Sequence, residues 1–400
     1  MQIHKKGKKG RVVSASALFI VVIAIIALSV YMLYFQGRTE VSEPLAPPVV
    51  KVDEPDPVKV VSFGAVGDNL IHGAVYLAAQ TGGGLYDFRP FYTNVKKEIS
   101  AVDVAYINQE TPFAGAELGL SGYPTFNGPV EIVDAVVDAG FDWINTASNH
   151  SFDRGAAGVV ASLAVLDKFP DVVQTGMARS QGEFEKVKYI EREGVKFGLE
   201  SFTYGLNGFN LPEDQPYMVN LIDDDLIRQR IAKLNAETDV QIVSMHWGDE
   251  YSTKPNEEQE RLAHLLADLG VEVIVAEHPH VIQPVRWITS EDGTRRTLVI
   301  YSMGNFLSAQ DEPFNMLGLY VRWSIRYNTQ DQAVEVTDVE VWPTVTWQAA
   351  GFKDYRCTFL KDYTVEIAGA HNLHSQGTSR EYFIAESQKV LGGDFKVVYE

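Results

Sequence analysis

The chain has almost no cysteine. Cys357 is the single one in 400 residues, which excludes an intramolecular disulfide framework and any cysteine-rich zinc module. Basic charge is scarce as well: 34 Lys and Arg stand against 53 Asp and Glu, a net charge of −19. A face able to bind nucleic acid or anionic lipid without specificity has little to be built from. No internal repeat is present. What remains is ordinary: 46% hydrophobic and 22% charged residues match a globular chain, neither disordered nor collagen-like. The length suits one large domain with appendages, or two domains.

Acid is absent from the first 39 residues. Residues 1–11 carry Lys5, Lys6, Lys8, Lys9 and Arg11. From residue 38 onward 29 basic residues face all 53 acids, a net of −24. Between these parts Val12–Phe35 runs without a charge and is rich in Ile, Val, Leu and Ala. As a helix, at about 1.5 Å per residue, it crosses a hydrocarbon core of ~30 Å, with Tyr31, Tyr34 and Phe35 as an interfacial anchor. A cleaved signal peptide is the rival, but the apolar stretch is long for one and no clear Ala-x-Ala site follows. The positive-inside rule then predicts a cytoplasmic basic tail (1–11), a single transmembrane helix (12–35) and an outward-facing main domain at the cell membrane.

Residues 36–59 are rich in Pro, Glu and Asp without helical period, and read as an extended extracellular linker. From residue 60 apolar runs alternate with helical patterns. Strands are predicted over Val60–Val66, Val102–Asn108, Trp143–Ala147, Val195–Phe202, Val240–Met245, Val271–Ala276 and Leu298–Ser302. Helices are predicted near 130–139, 156–168, 223–236 and 256–269. This alternation argues α/β layers over 60–310. Residues 311–400 read as a β-rich completion of the domain followed by a tail, with a helix near 379–390.

Polar residues collect where the predicted strands end, which is where α/β sheets form sites. Asp68, Glu110, Asn149, His150, His246, His278 and His280 all sit at such ends, and His72 follows one closely. Imidazole, carboxylate and amide oxygen without thiol suit Zn, Mn, Fe or Co. Glu110 or Asp68 is placed to bridge two cations ~3.5–4 Å apart, and His150 with Asp153 suits proton delivery to a leaving group. Each element has a plainer reading. Gly67-Asp68 is a common turn or cap, Asn149-His150 a common Asx turn. His72, four residues after Asp68, could share a helical face with it or be a cap. His278 and His280, two apart in an extended segment, point the same way. His264, inside a Leu-rich helix, reads as structural or surface, and His371 and His374, in a polar tail stretch, as solvated.

The motifs VGDNLIH (66–72), YDFRPF (86–91), INQETPF (107–113) and FNGP (126–129) come in order along the chain. They are followed by AGFDWINTASNHSFDRG (139–155), SMHWGDEY (244–251), EHPHVIQP (277–284) and YSMGNF (301–306). Together these resemble the bacterial CapA family of poly-gamma-glutamate capsule synthesis proteins, a branch of the calcineurin-like metallophosphatase superfamily. The resemblance implies a four-layer αββα sandwich with one or two divalent metal ions at the strand ends. It makes Asp68 a ligand of the first metal, Glu110 the bridging carboxylate, Asn149 and His246 ligands of the second, and His278 and His280 one ligand for each. It makes His150 the general acid, oriented by Asp153, with Arg154, Asn305 and Tyr251 as substrate-binding candidates. Two departures stand out. The superfamily's Asp-x-His becomes Asp68-x-x-x-His72, and its bridging Asp becomes Glu110. Glu277, ahead of His-Pro-His, reads as an orienter or a spurious ligand.

The leading expectation is a membrane-anchored, outward-facing protein supporting synthesis, export or anchoring of an anionic cell-surface polymer. It would hydrolyse a phosphoester or amide with metal-activated water. Its partners would be a membrane polymer-synthase complex and the polymer, not nucleic acid. A domain at −24 repels polyglutamate, so metal or a basic patch must offset that; Arg89, Arg154 and Arg286 are the motif-borne candidates. The rival readings are a noncatalytic subunit of a membrane synthase with a vestigial site, and a cell-envelope phosphatase unrelated to capsule.

Overall fold

The computed structural model describes residues 15–36 and 57–400, with side chains of the first helix described from Phe19 onward. The basic tail at 1–11 and most of the Pro/acidic linker lie outside the described residues. Two compact units result, Met1–Pro55 and Asp56–Glu400. In the first, Ala15–Phe35 is a 21-residue helix whose described apolar side chains are largely exposed. Among the described residues no helix is long and apolar enough to cross a membrane.

The second unit is a mixed α/β sandwich built on two sheets. A nine-stranded sheet runs Tyr355–Phe359, Val334–Gln348, Leu317–Asn328, Val58–Asn69, Val104–Asn108, Trp143–Asn145 and Val173–Thr175, with Asn305–Leu307 and Lys396–Val397 joined to it. The six-stranded sheet runs Val285–Thr289, Arg296–Ile300, Val273–Glu277, Val240–His246, Val195–Thr203 and Lys188–Arg192. In the first sheet Val58–Asn69 to Val173–Thr175 are parallel out to one edge and the strands on the other side antiparallel, whereas in the second the four middle strands are parallel between antiparallel edge strands. Val240–His246 is buried at every position, as expected of a parallel strand covered on both faces.

The two sheets meet over one core, in which Phe63 and Tyr106 of the first face Phe197 and Ile242 of the second. The Phe63 and Phe197 rings lie edge to face at 4.9 Å, a preferred aromatic geometry. Helices Glu131–Ala139 and Gly155–Leu166 pack on the outer side of the first sheet. Helices Asp224–Glu237 and Glu257–Asp268 pack on the second. The last begins at a capping box: Asn256 accepts from the Gln259 N–H, and the Gln259 side chain accepts from the Asn256 N–H, satisfying two otherwise orphaned donors.

The YSMGNF motif is a crossover. Strand Arg296–Ile300 lies in the second sheet, and five residues later Asn305 pairs with Asp68 in the first. Gly304 turns at φ 62° and its carbonyl accepts from the Asp68 N–H at 2.9 Å. A side chain on Gly67 has no room here, because its Cβ would stand 1.9 Å from that carbonyl oxygen. Gly67→Ala is therefore expected to destabilise the fold by about 1–3 kcal/mol, the usual range for forced overpacking. Gly73→Ala, whose Cβ would meet nothing nearer than 3.8 Å, should change little. Urea melts of both check this, and equal stabilities would contradict it.

The chain after residue 360 packs back onto the domain: Phe383 and Leu391 of helix Arg380–Leu391 join the core between the sheets. His371 corrects the solvated reading. It is buried, with Nε2 at 3.1 Å from the Thr346 carbonyl and Nδ1 accepting from the Leu373 N–H. His264 is exposed on its helix.

Candidate metal centre

Register builds the site. Asp68 stands level with Asn108, and Asn108 with Asn145, in the first sheet. In the second, Thr203, His246 and Glu277 form a matching row. Both rows lie at carboxyl ends of parallel strands, so their side chains converge at one end of the sandwich.

A chain of amides fixes Asp68. Asn145 donates to the Asn108 oxygen at 2.8 Å, and Asn108 donates to Asp68 Oδ1 at 2.7 Å. His280 Nδ1 meets Asp68 Oδ2 at 3.0 Å, so both carboxylate oxygens are held. Asn305 stands 3.2 Å from the same Nδ1. Its amide nitrogen is engaged by the His280 carbonyl, Gln310 and the Asn315 carbonyl. With both ends of its amide engaged, Asn305 helps position His280.

Glu110 lies between the histidines. Its Oε1 is 3.7 Å from His280 Nε2 and 3.9 Å from His246 Nε2. Both carboxylate oxygens are buried without a hydrogen-bond partner among the described residues, and so is His278 Nδ1. Leaving such atoms unpaired is costly in a chain with no ligand. His246 is wholly buried, with Nε2 at 3.0 Å from Asn149 Oδ1 and Nδ1 at 3.4 Å from the Asn108 amide. The rings of His246 and His278 lie 4.9 Å apart, and Tyr204 covers His278 at 4.5 Å.

Burial pushes the Glu110 carboxyl well up, and the Asp68 charge adds to this. Burial also holds His246 and His278 neutral, His278 down to about 3. His280 goes the other way: burial lowers it, but the Glu110 and Asp68 carboxylates outweigh that and raise it to about 9. Glu277 is buried beside the Tyr106 and Ser244 hydroxyls, and burial pushes its carboxyl up. It stands outside the groups that could hold an ion.

Two such groups exist among the described residues: Asp68, Glu110 and His280, and Glu250, His278 and His280, each with ligand atoms within 4.8 Å of one another. The donor set of carboxylate, imidazole and amide oxygen, with its unpartnered atoms, fits a divalent cation. His72 belongs to neither. Asp68 closes a strand and His72 precedes the helix Gly73–Ala78, so they share no helical face. His72 Nδ1 sits 3.3 Å from the Ala309 N–H and 3.2 Å from the Leu70 carbonyl, and burial lowers it to about 4.

His150 Nδ1 is 2.8 Å from Asp153 Oδ2, which also accepts from the Phe126 N–H at 2.6 Å. The Phe126 ring meets His150 edge-on at 4.6 Å. Asn207, unforeseen from sequence, spans the gap, accepting from Asn149 at 3.2 Å with its amide nitrogen 3.3 Å from His150 Nδ1. Arg154 turns to the neighbouring loop, donating to Ser121 and to the Thr125 and Asp153 carbonyls. It braces that loop. Tyr251 stays exposed, its ring 6.1 Å from His280. Of the other two arginines, Arg89 pairs with Asp87 and Arg286 with Glu260.

The His-Pro-His segment is not extended. His278 and His280 hold φ of 102° and 58°, a left-handed turn, and their rings are 6.0 Å apart. They reach one site because the turn folds around Pro279, not because alternate residues of a strand share a face.

The family described as bacterial capsule synthesis protein PGA_cap matches residues 62–310. The PGA biosynthesis protein CapA of Bacillus subtilis is 29% identical over 213 residues, 53% of this chain and 54% of that one. The capsule biosynthesis protein CapA of Bacillus anthracis is 32% identical over 203 residues, 50% and 47% of the two chains. The chain thus spans about half the length of these curated relatives. Among solved structures, a phosphatase from Mycoplasma pneumoniae is 14% identical with a TM-score of 0.46, covering 72% of this chain and 94% of that one. The NAD nucleotidase of Haemophilus influenzae is 10% identical with a TM-score of 0.45, covering 83% and 60%. Likenesses of this depth carry no statement about chemistry.

Proposed function

Since the chain belongs to the bacterial capsule synthesis protein family PGA_cap, we propose that it supports production, export or anchoring of an anionic cell-surface polymer as a metal-dependent hydrolase. In this reading the apolar stretch 12–35, part of which lies outside the described residues, tethers it to the cell membrane, the main domain faces outward, and a membrane polymer synthase is its partner. The observation that carries the catalytic part is Glu110, a buried carboxylate between two histidines with neither oxygen hydrogen-bonded among the described residues.

Asp68, Glu110 and His280 would hold one cation, and Asn149, His246 and His278 a second, with Glu110 shared. A divalent cation of the Mn, Zn, Fe or Co kind polarises a scissile phosphoryl or acyl oxygen and acidifies water. The chain supplies the rest. Asp68 is locked by the Asn145–Asn108 amide chain and so keeps His280 oriented. Asp153 accepts the His150 Nδ1 proton, which leaves Nε2 to pass a proton to the leaving group. Metal charge would also offset the repulsion between a −24 domain and a polyanion, a task for which Arg89 and Arg286, already paired, are poorly free.

The test is turnover of a panel of phosphoesters and gamma-glutamyl peptides by the full-length protein in detergent, loaded in turn with Mn, Zn, Fe and Co. Metal-dependent hydrolysis of one class is expected. Absence of bound metal under every loading would end the hydrolase reading.

Proton release gives a separate check. Below pH 9 His280 holds a proton between Asp68 and Glu110, and a cation must displace it. Apparent affinity should therefore rise with pH up to about 9, and calorimetry should show protons released into the buffer at pH 7. Uptake with no buffer dependence would contradict this. The metal-free fold has the opposite sign. The raised His280 contributes its full stability below its ordinary 6.5 and loses it as pH climbs through about 9.

A further inference from the structure

His72 does not join the ligand groups, so the cluster is one donor short on the Asp68 side. Glu250 stands at the opposite rim, its carboxylate within 4.8 Å of ligand atoms on both His278 and His280. It makes no hydrogen bond or ion pair among the described residues.

Its loop is built against the turn that carries those histidines. Gly248 and Tyr251 take φ of 93° and 64°, and the Tyr251 N–H donates to the Pro279 carbonyl at 2.8 Å. The Gln283 side chain donates to the Ser252 carbonyl at 2.9 Å and the Lys254 carbonyl at 3.2 Å, and accepts from Gln259 at 2.8 Å. A Cβ on Gly248 would stand 2.6 Å from the Gln259 side chain, so the glycine lets the loop close down. Residue 250 is thus held in place beside His278 and His280 by contacts on both sides of it.

Electrostatics sharpen the case. The charge of Glu250, like that of Asp68, adds to the upward push on the buried Glu110. Three carboxylates converging on a site with unpartnered buried atoms are unfavourable unless a cation lies among them. Exposed acids are common and normally point to water; this one is tied to the His-Pro-His turn and faces the orphaned Glu110 and His278.

On the metal reading above, we infer that Glu250 is a metal ligand, completing with His278 and His280 a donor group at the rim of the site that His72 does not join. The site would then be a three-carboxylate variant of a histidine-richer one, with more negative charge at the cation.

The test uses the full-length protein in detergent, with Mn(II) and Co(II) as probes, and the variants Glu250→Ala, Glu250→Gln and His72→Ala. Metal per chain, Mn(II) affinity by calorimetry and the visible Co(II) absorption are read, with melting of the metal-free forms confirming the fold. Glu250→Ala should lose about tenfold or more in affinity for one ion, the scale on which even supporting groups act, and should alter the Co(II) spectrum. Glu250→Gln should fall between it and wild type, and His72→Ala should bind as wild type does. Unchanged stoichiometry, affinity and spectrum in Glu250→Ala would overturn the inference and leave the hydrolase reading standing. A wild-type protein that binds no metal would overturn both.

Discussion

Replacing His246 and His278 together by alanine is expected to strip the protein of bound metal while its fold survives. His246 is wholly buried with its Nε2 turned to Asn149 and Glu110, and His278 carries a buried unpartnered Nδ1. Neither ring can be replaced by water-filled space without loss of a donor that nothing nearby supplies. Removing supporting groups around metals costs roughly 10–100-fold in affinity, and deleting two direct ligands should exceed about 10³-fold. The cavities left by the rings should cost on the order of 2–5 kcal/mol each in the metal-free fold. Elemental analysis after dialysis reads the first effect, and melting in chelator reads the second. A double variant that keeps wild-type metal content, or that still supports polymer production in cells, would remove these residues from the metal's shell.

His150→Asn should lower turnover by about 10²–10⁴-fold with metal content unchanged, the usual span for a positioned acid or base. Asparagine can still donate toward Asp153 Oδ2, so the local fold should hold around the Phe126 N–H contact. What disappears is the second ring nitrogen. The loss should be steep for substrates with poor leaving groups and shallow for activated aryl phosphates, because only the former need a proton as they depart. A uniform loss across both substrates would point to a structural effect, and unchanged turnover would remove His150 from proton transfer. Asp153→Asn gives the complementary case, in which the imidazole survives but its orientation is no longer enforced.

Much of this arrangement was legible because apolar runs end in polar residues. Val240–His246 and Val273–Glu277 read clearly as strands, and their terminal residues could be assigned to one edge before any pairing was known. The helix Glu257–Asp268 is legible from Leu262, Leu265, Leu266 and Leu269 at helical spacing and from Gly270 as its stop, whereas its capping box is seen only in the structure. Short strands carried too little pattern: Val173–Thr175 and Asn305–Leu307 have three residues each, less than two full alternations. The edge strand Lys188–Arg192 is charged at Lys188, Glu191 and Arg192 around one buried Ile190, which resembles loop. Nor could the amide chain be foreseen, since Asn108 and Asn145 meet Asp68 only through strand register. A signal was present in retrospect: an asparagine closes two successive apolar strands. Glu250 was hidden differently, because its approach to His280 depends on the left-handed turns at Gly248, Tyr251 and His278.

One property of the layout reaches beyond catalysis. Asp68 and His246 belong to different hydrogen-bonded ladders, one in each sheet, and the site draws on both. A cation gripping them would be a cross-link between layers that otherwise cohere through the apolar interior. Its contribution would follow the ion's supply, reaching about 4 kcal/mol at a thousandfold excess over the dissociation constant. The mechanical strength of the domain would then be set by the supply of metal around it, so that one ion would act as both reagent and rivet.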